Sequence, residues 1–270
     1  MTKKLNFYQE SFDSNLIEEF SFYLKEKLHF SDKDIFIHND RLLTKVEEDL
    51  IEDFFKQKTE GIPLDYILNS TKFYDSDFYV DSRVLIPRPE TELLVDYVVK
   101  NFNDAMKVLD AGTGSGCIGI SIALKKSNFK VYGSDFSKNA LDVASINKSK
   151  LNVGNYFLVN ANWLSCFKNE SFDLILSNPP YIAENDSHLD NLIHEPKIAL
   201  TSSEAGLSDI KKIIQESSKV LKGGGVLIIE HGYNQEDQVK NLLKDNYFLD
   251  IFNIKDYQGL PRITYGILDK

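Results

Sequence analysis

Lys107-Val-Leu-Asp110-Ala-Gly112-Thr-Gly114-Ser-Gly116-Cys-Ile-Gly119 is a short apolar run that ends in three glycines at alternate positions and passes into a longer apolar stretch. It reads as strand, tight turn and helix. Glycine alone adopts a left-handed backbone without strain, and it leaves no Cβ between the chain and a ligand. The fold class follows from what recurs around this segment. Further strands are expected at 130–133, 156–159, 172–176, 226–229, 248–254 and 263–267, with helical stretches near 116–125, 137–150, 206–221 and 234–245. Strands alternating with helices predict an α/β domain whose mostly parallel sheet is covered on both faces and binds its ligand at the carboxyl ends of the strands. The last two runs are joined by a short loop, which predicts an antiparallel pair.

Upstream the period changes. Ile17, Phe20, Leu24 and Leu28 share one helical face, and Val46, Leu50 and Phe54 share another. Thr44 followed by Glu47 is a capping box opening the second helix, and Gly61-Ile-Pro63 is its stop. Between Ile67 and Ile86 the chain turns to Tyr, Phe, Val and Thr broken by aspartates, as in a β-hairpin. The expected organisation is a helical domain at 1–65, a hairpin linker at 66–87 and an α/β domain at 88–270.

A chain of 270 residues with 42% hydrophobic and 27% charged residues is long enough for a large core and is not of disordered composition. Its net charge of −10 and pI near 5.1 argue against a protein held mainly by phosphates. Direct specific nucleic-acid binding is therefore not expected. Cys117 and Cys166 stand outside any zinc-ligand spacing, so no metal and a reduced, cytoplasmic setting are expected. Residues 1–12 hold no apolar leader core, and no run suits a membrane span.

The glycine loop leaves its ligand open. Gly114-Ser-Gly116-Cys-Ile-Gly119 also satisfies a dinucleotide fingerprint, with Asp135 placed where a carboxylate accepts both ribose hydroxyls. A nicotinamide enzyme is thus one reading. Asp110 favours another, since a carboxylate before the glycines repels a pyrophosphate but suits the cationic amino-acid end of S-adenosylmethionine.

Asn178-Pro179-Pro180-Tyr181 follows the apolar run 172–177. Proline fixes φ and holds the preceding residue extended, so the segment presents carbonyls and the Asn178 side chain in a set direction. It suits an NH₂ group: Asn178 Oδ1 and the Pro179 carbonyl accept its two hydrogens, and Tyr181 stacks on the planar group.

With these residues the sequence resembles the glutamine-N5 methyltransferases of the HemK/PrmC type, which modify peptide chain release factors. The resemblance runs from the N-terminal helices to the 257–262 region. Ile86-Pro-Arg88-Pro-Glu90-Thr-Glu92 is its most specific segment, and Glu195-Pro196, Glu230-His231-Gly232 and Asp256-Tyr257 also look like family elements. Related ribosomal-protein glutamine methyltransferases usually read differently after the Pro-Arg. The resemblance implies a Rossmann-like class I fold dependent on S-adenosylmethionine, with S-adenosylhomocysteine as product, a helical domain that docks the substrate, and the Gly-Gly-Gln glutamine of release factors as methyl acceptor. Catalysis then falls to Asn178, Pro179 and Tyr181. The cofactor falls to Asp110, Gly112, Thr113, Gly114, Ser115, Gly116, Asp135, Asn162, Trp163 and Asn178. Substrate falls to Asn178, Pro179, Pro180, Tyr181 and Arg88, although Arg88 is equally readable as a residue paired with a nearby carboxylate. Two departures stand out: Asn162 where relatives often carry Asp, and His194 where an aromatic is common. Alternatives are the ribosomal-protein enzyme, then an N6-adenine DNA methyltransferase, whose flipped base offers the same NH₂ geometry, and a non-catalytic adaptor that keeps the cofactor fold.

Overall fold

The computed structural model describes residues 3–9 and 14–269, so the 1–12 stretch read for a leader lies partly outside it. The chain divides between Ser70 and Thr71 into two compact units. The first holds α1 (Leu5–Gln9), α2 (Ser14–Leu28), α3 (Asp32–Phe36), α4 (Lys45–Thr59) and α5 (Leu64–Leu68) around a core that includes Phe20, Leu24, Ile35, Ile51 and Phe54. The Thr44–Glu47 capping box is present, with Thr44 N donating to Glu47 Oε2 at 2.7 Å. A second box, Ser31 with Asp34, opens α3. The buried face of α4 is centred on Ile51 and Phe54, whereas Val46 is 69% exposed. The expected 46-50-54 face is thereby corrected: each step of four residues drifts about 40° around a helix, so two steps carry Val46 off the stripe.

The hairpin is shorter than expected. β1 (Thr71–Phe73) and β2 (Ser76–Phe78) pair antiparallel, while Ile67 and Leu68 end α5 and the chain beyond Phe78 runs without ladder partners to a 3₁₀ turn at Pro89–Thr91. α6 (Glu92–Asn101) follows, a helix absent from the expected elements.

The second unit is built on β3 (Lys107–Ala111), β4 (Lys130–Asp135), β5 (Tyr156–Asn160), β6 (Phe172–Ser177), β9 (Leu221–Glu230), β10 (Phe248–Lys255) and β11 (Pro261–Leu268) in the spatial order β10-β11-β9-β6-β3-β4-β5. β5, β4, β3, β6 and β9 run parallel; β11 is antiparallel to β9 and, as the short loop between them requires, to β10. Helices α7 (Cys117–Lys125), α8 (Lys138–Lys150), α9 (Ser208–Val220) and α10 (Glu236–Asp245) cover the faces. Alternation decides which core each residue enters: Val108, Leu174, Leu176 and Ile228 join the α6 and α7 side, whereas Leu109, Ile175, Leu227 and Ile229 join the α9 and α10 side. Each such fully buried side chain contributes roughly 1.5–3 kcal/mol.

β3 has β4 on one side and β6 on the other, so the chain leaves β3 in one direction and returns in the opposite one. The crevice opens at that reversal, outside the carboxyl ends. Beyond it, β7 (Ile182–Ala183) and β8 (Thr201–Ser202) form a two-residue parallel ladder that closes an excursion over 184–200. Residues 204–206 follow with positive φ of 53°, 55° and 86°.

Candidate active site

A cleft of about 270 Å³ lies at the carboxyl ends of β3, β4, β5 and β6. Its floor is the glycine loop. Gly112, Gly114 and Gly116 have φ of +76°, +55° and +84°, all in the region that favours glycine. A Cβ on Gly114 would meet nothing within 4 Å, so the turn there faces open space, whereas a Cβ on Gly112 would stand 2.9 Å from the Trp163 ring.

The loop is fixed from beneath. Gly112 N and Thr113 N both donate to the Ser134 carbonyl, at 2.8 and 2.9 Å. Asp110 is fully buried; its Oδ2 accepts from Thr113 Oγ1 at 2.5 Å and from Gly119 N at 3.0 Å, and Tyr156 Oη lies 2.6 Å from Thr113 Oγ1. Burial pushes the Asp110 carboxyl up to about 6, against the hydrogen bonds from Thr113 and Gly119. Asp110 Oδ1 has no hydrogen-bond partner among the described residues. Asp110 and Gly116 stand behind the cleft wall, while Gly112, Thr113, Gly114 and Ser115 line it.

Asp135 closes β4 on the wall of the cleft. Its Oδ2 accepts from Gly114 N at 2.9 Å and its Oδ1 from Ser137 N at 2.8 Å, so each oxygen keeps a further acceptor site for a hydroxyl. Burial raises its pKa. Trp163 packs over Gly112, and its indole N–H donates to Asp209 Oδ1 at 3.0 Å. Asn162 is exposed at the rim, its Oδ1 accepting from Lys212 Nζ at 2.8 Å.

From β6, Asn178 and Pro180 reach the cleft. Asn178 Nδ2 donates to Thr91 Oγ1 at 3.0 Å, and its Oδ1 carries no hydrogen bond among the described residues. Pro179 and Tyr181 lie behind the lining: Pro179 is buried, and the Tyr181 hydroxyl donates to Glu230 Oε1 at 3.3 Å. Gln235 Nε2 donates to the Tyr181 carbonyl at 3.1 Å, and a Cβ on Gly206 would stand 2.0 Å from that oxygen. The segment after β6 is thus held at its side chains and its backbone.

Arg88 does not line the cleft, although Pro87 and Thr91 do. Its guanidinium pairs with the buried Glu195 carboxylate, whose Oε2 also accepts from Ile86 N at 2.9 Å. The paired-carboxylate reading of Arg88 is the one observed, with the guanidinium still one-third exposed. Phe136, Thr91 and Asp209 line the cleft without having been singled out. Phe136 had a signal in its place directly after Asp135, and Thr91 in its place within the 86–92 segment; Asp209 had none, since its partner lies 46 residues away. Among the described residues no group of His, Cys, Asp and Glu is placed to hold a metal ion.

A sheet with a reversed final strand, a left-handed glycine loop after its central strand and a ribose-type carboxylate after the next define a class I methyltransferase that takes its methyl group from S-adenosylmethionine. The sequence pattern of a methyltransferase-domain family matches residues 102–259. A methyltransferase of Pyrococcus furiosus shares the fold, with a TM-score of 0.57 at 16% identity over 84% of this chain and 100% of that one. Two relatives are much nearer in sequence: the release factor glutamine methyltransferases of Coxiella burnetii, 34% identical over 85% of this chain and 84% of that protein, and of Buchnera aphidicola from Schizaphis graminum, 39% identical over 86% and 85%. The chain belongs to the release factor glutamine methyltransferases.

Proposed function

We propose that this chain transfers a methyl group from S-adenosylmethionine to the side-chain amide nitrogen, N5, of the Gly-Gly-Gln glutamine in peptide chain release factors. The observation that carries the reading is Asn178: with its NH₂ taken by Thr91, its Oδ1 is left to accept a hydrogen from an incoming amide.

When bound, the cofactor supplies a methyl group already activated on a positive sulfur. The residues present fit it. The open space at Gly114 admits its amino-acid end, and Asp110 favours that cation from behind the loop. Asp135 accepts the ribose hydroxyls. Trp163 and Phe136 flank the base, and the Asn162 NH₂, its oxygen held by Lys212, donates to a ring nitrogen. An amide nitrogen is a poor nucleophile because its lone pair is delocalised. What the protein adds is alignment and exclusion of water, together with acceptors for the amide hydrogens that strengthen as positive charge grows on nitrogen. Asn178 Oδ1 and the Pro179 carbonyl hold those hydrogens while the Tyr181 ring backs the amide plane. No side chain is assigned as a dedicated base.

The helical unit docks the protein substrate, in a cytoplasmic setting; both cysteines are free thiols, and no described helix is long and apolar enough to cross a membrane. The net charge of −10 suits a partner that itself binds RNA and disfavours direct specific binding of nucleic acid by this chain. Incubation with labelled S-adenosylmethionine and separately purified release factors, ribosomal proteins and DNA, followed by mass spectrometry, tests the reading. Methyl on a release-factor glutamine is expected; methyl on a ribosomal-protein glutamine or an adenine alone overturns it.

A further inference from the structure

Glu230 ends β9 with its side chain fully enclosed, 1% exposed, and with Oε2 lacking any hydrogen-bond partner among the described residues. A carboxyl oxygen buried without a partner costs stability. Its Oε1 accepts from the Tyr181 hydroxyl at 3.3 Å. The Thr91 hydroxyl, which receives the Asn178 Nδ2 hydrogen at 3.0 Å, also favours the charged form of Glu230. We propose that Glu230 is the positioning residue of the acceptor site, fixing both ends of Asn178-Pro-Pro-Tyr181 at once, Tyr181 directly and Asn178 through Thr91. The inference rests on the acceptor role given to Asn178 above.

Hydrogen-bond polarity links the two ends. A threonine hydroxyl has a single proton. No formed hydrogen bond joins the two side chains, but the charge of a Glu230 carboxylate beside Thr91 orients that proton toward itself, and the Thr91 oxygen then offers only lone pairs to Asn178. The Asn178 amide then stays with NH₂ toward Thr91 and Oδ1 toward the cleft. Without the carboxylate, Thr91 is at liberty to donate to Asn178 Oδ1, and the amide turns over. The cleft then presents N–H groups to a substrate amide that brings N–H groups of its own. Two donors face each other, and the site loses its acceptor without losing its shape.

Burial pushes Glu230 up to about 7, opposed by Thr91, Tyr181 and Arg262 of β11 and reinforced by Glu90; the Cys117 thiol on α7 also feels its charge. A protonated Glu230 becomes a donor and loosens the polarity of the chain. The charged form is therefore the working one, and turnover rises with pH through an inflection near 7.

Steady-state kinetics on a release-factor substrate test this with Glu230→Gln, Thr91→Val and Thr91→Ser, together with S-adenosylhomocysteine affinity read from the fluorescence of Trp163, the single tryptophan of the chain. Glu230→Gln is expected to lower kcat by about 10-fold to 100-fold, to lose the inflection near 7, and to leave both KM and S-adenosylhomocysteine affinity within about two-fold. Thr91→Val is expected to behave like it, and Thr91→Ser, which keeps the hydroxyl, to stay near wild type. Wild-type kcat with an unchanged pH profile in Glu230→Gln overturns the proposal, as does loss of S-adenosylhomocysteine binding in step with activity. Should Glu230→Gln fail to fold, equal activity of Thr91→Val and Thr91→Ser overturns it instead. A wild-type protein that methylates no release-factor glutamine removes the acceptor reading itself, and this inference with it.

Discussion

Asn178 shows how far one side chain depends on residues remote in sequence. Its type and its place after an apolar run were readable, and so was its need to present an acceptor. Which end of the amide faces the cleft was not, because that is decided by Thr91, 87 residues earlier. Asn178→Ala is expected to lower kcat by about 100-fold or more, since a preorganised partner of the developing charge is lost, with S-adenosylhomocysteine affinity nearly unchanged. Equal loss of both contradicts the assignment. Trp163 offers a second check. Its indole is pinned by Asp209 on the wall of the cleft, so S-adenosylhomocysteine is expected to change its emission. Asp209→Asn, which weakens a charge-assisted hydrogen bond, is expected to reduce that affinity about 3-fold to 10-fold; a titration with the wild-type midpoint counts against it.

At the scale of elements, strands and helices of the α/β unit announced themselves because short continuous apolar runs and glycine turns are local signals. All seven strands of the large sheet were anticipated, each observed one extending beyond its expected core. Three kinds of feature escaped. The ladder of β7 and β8 is two residues long and carries no periodicity. The hairpin was overextended because aromatic, β-branched residues also suit the unpaired strand-like chain after Phe78, where Asn147 bonds the backbone of Tyr79 through both its amide groups. The α4 face was misplaced by a row of apolar residues that slants across the helix. Legibility thus followed locality: whatever rested on distant partners was hidden. Gly133 in β4 is such a case, since a Cβ there would stand 2.0 Å from Tyr156 Oη. Gly133→Ala is expected to destabilise the protein by about 2–3 kcal/mol through overpacking, measured by chemical unfolding; an unchanged midpoint refutes it.

For the molecule as a whole, two deep carboxyls set a pH response. Asp110, near 6, and Glu230, near 7, both stand above their ordinary values. A raised carboxyl favours the folded chain while protonated, so this contribution is complete below the unfolded-state pKa and is lost as pH climbs through the folded one. Asp81, Asp96 and Asp256, held low by Arg83, Lys100 and Arg262, act in the opposite direction. The difference between variant and wild type isolates the buried pair. Melting temperatures of Asp110→Asn and Glu230→Gln, each relative to wild type, are expected to rise between pH 4 and pH 8; a difference flat in pH contradicts the sign.

The 184–200 excursion carries a consequence of another kind. Its ends are tied together by β7 and β8, and its middle is anchored by Glu195, while Ile193 and Ile198 stand 73% and 60% exposed. Ile198 also lines the cleft, with Pro196 and Ala199, whereas Ile193 does not, so the excursion has one exposed apolar residue at the site and one away from it. One excursion thus both walls the cleft and carries apolar surface to solvent, so a change in its length or in its anchor at Glu195 is expected to be felt inside the cleft as well as outside it.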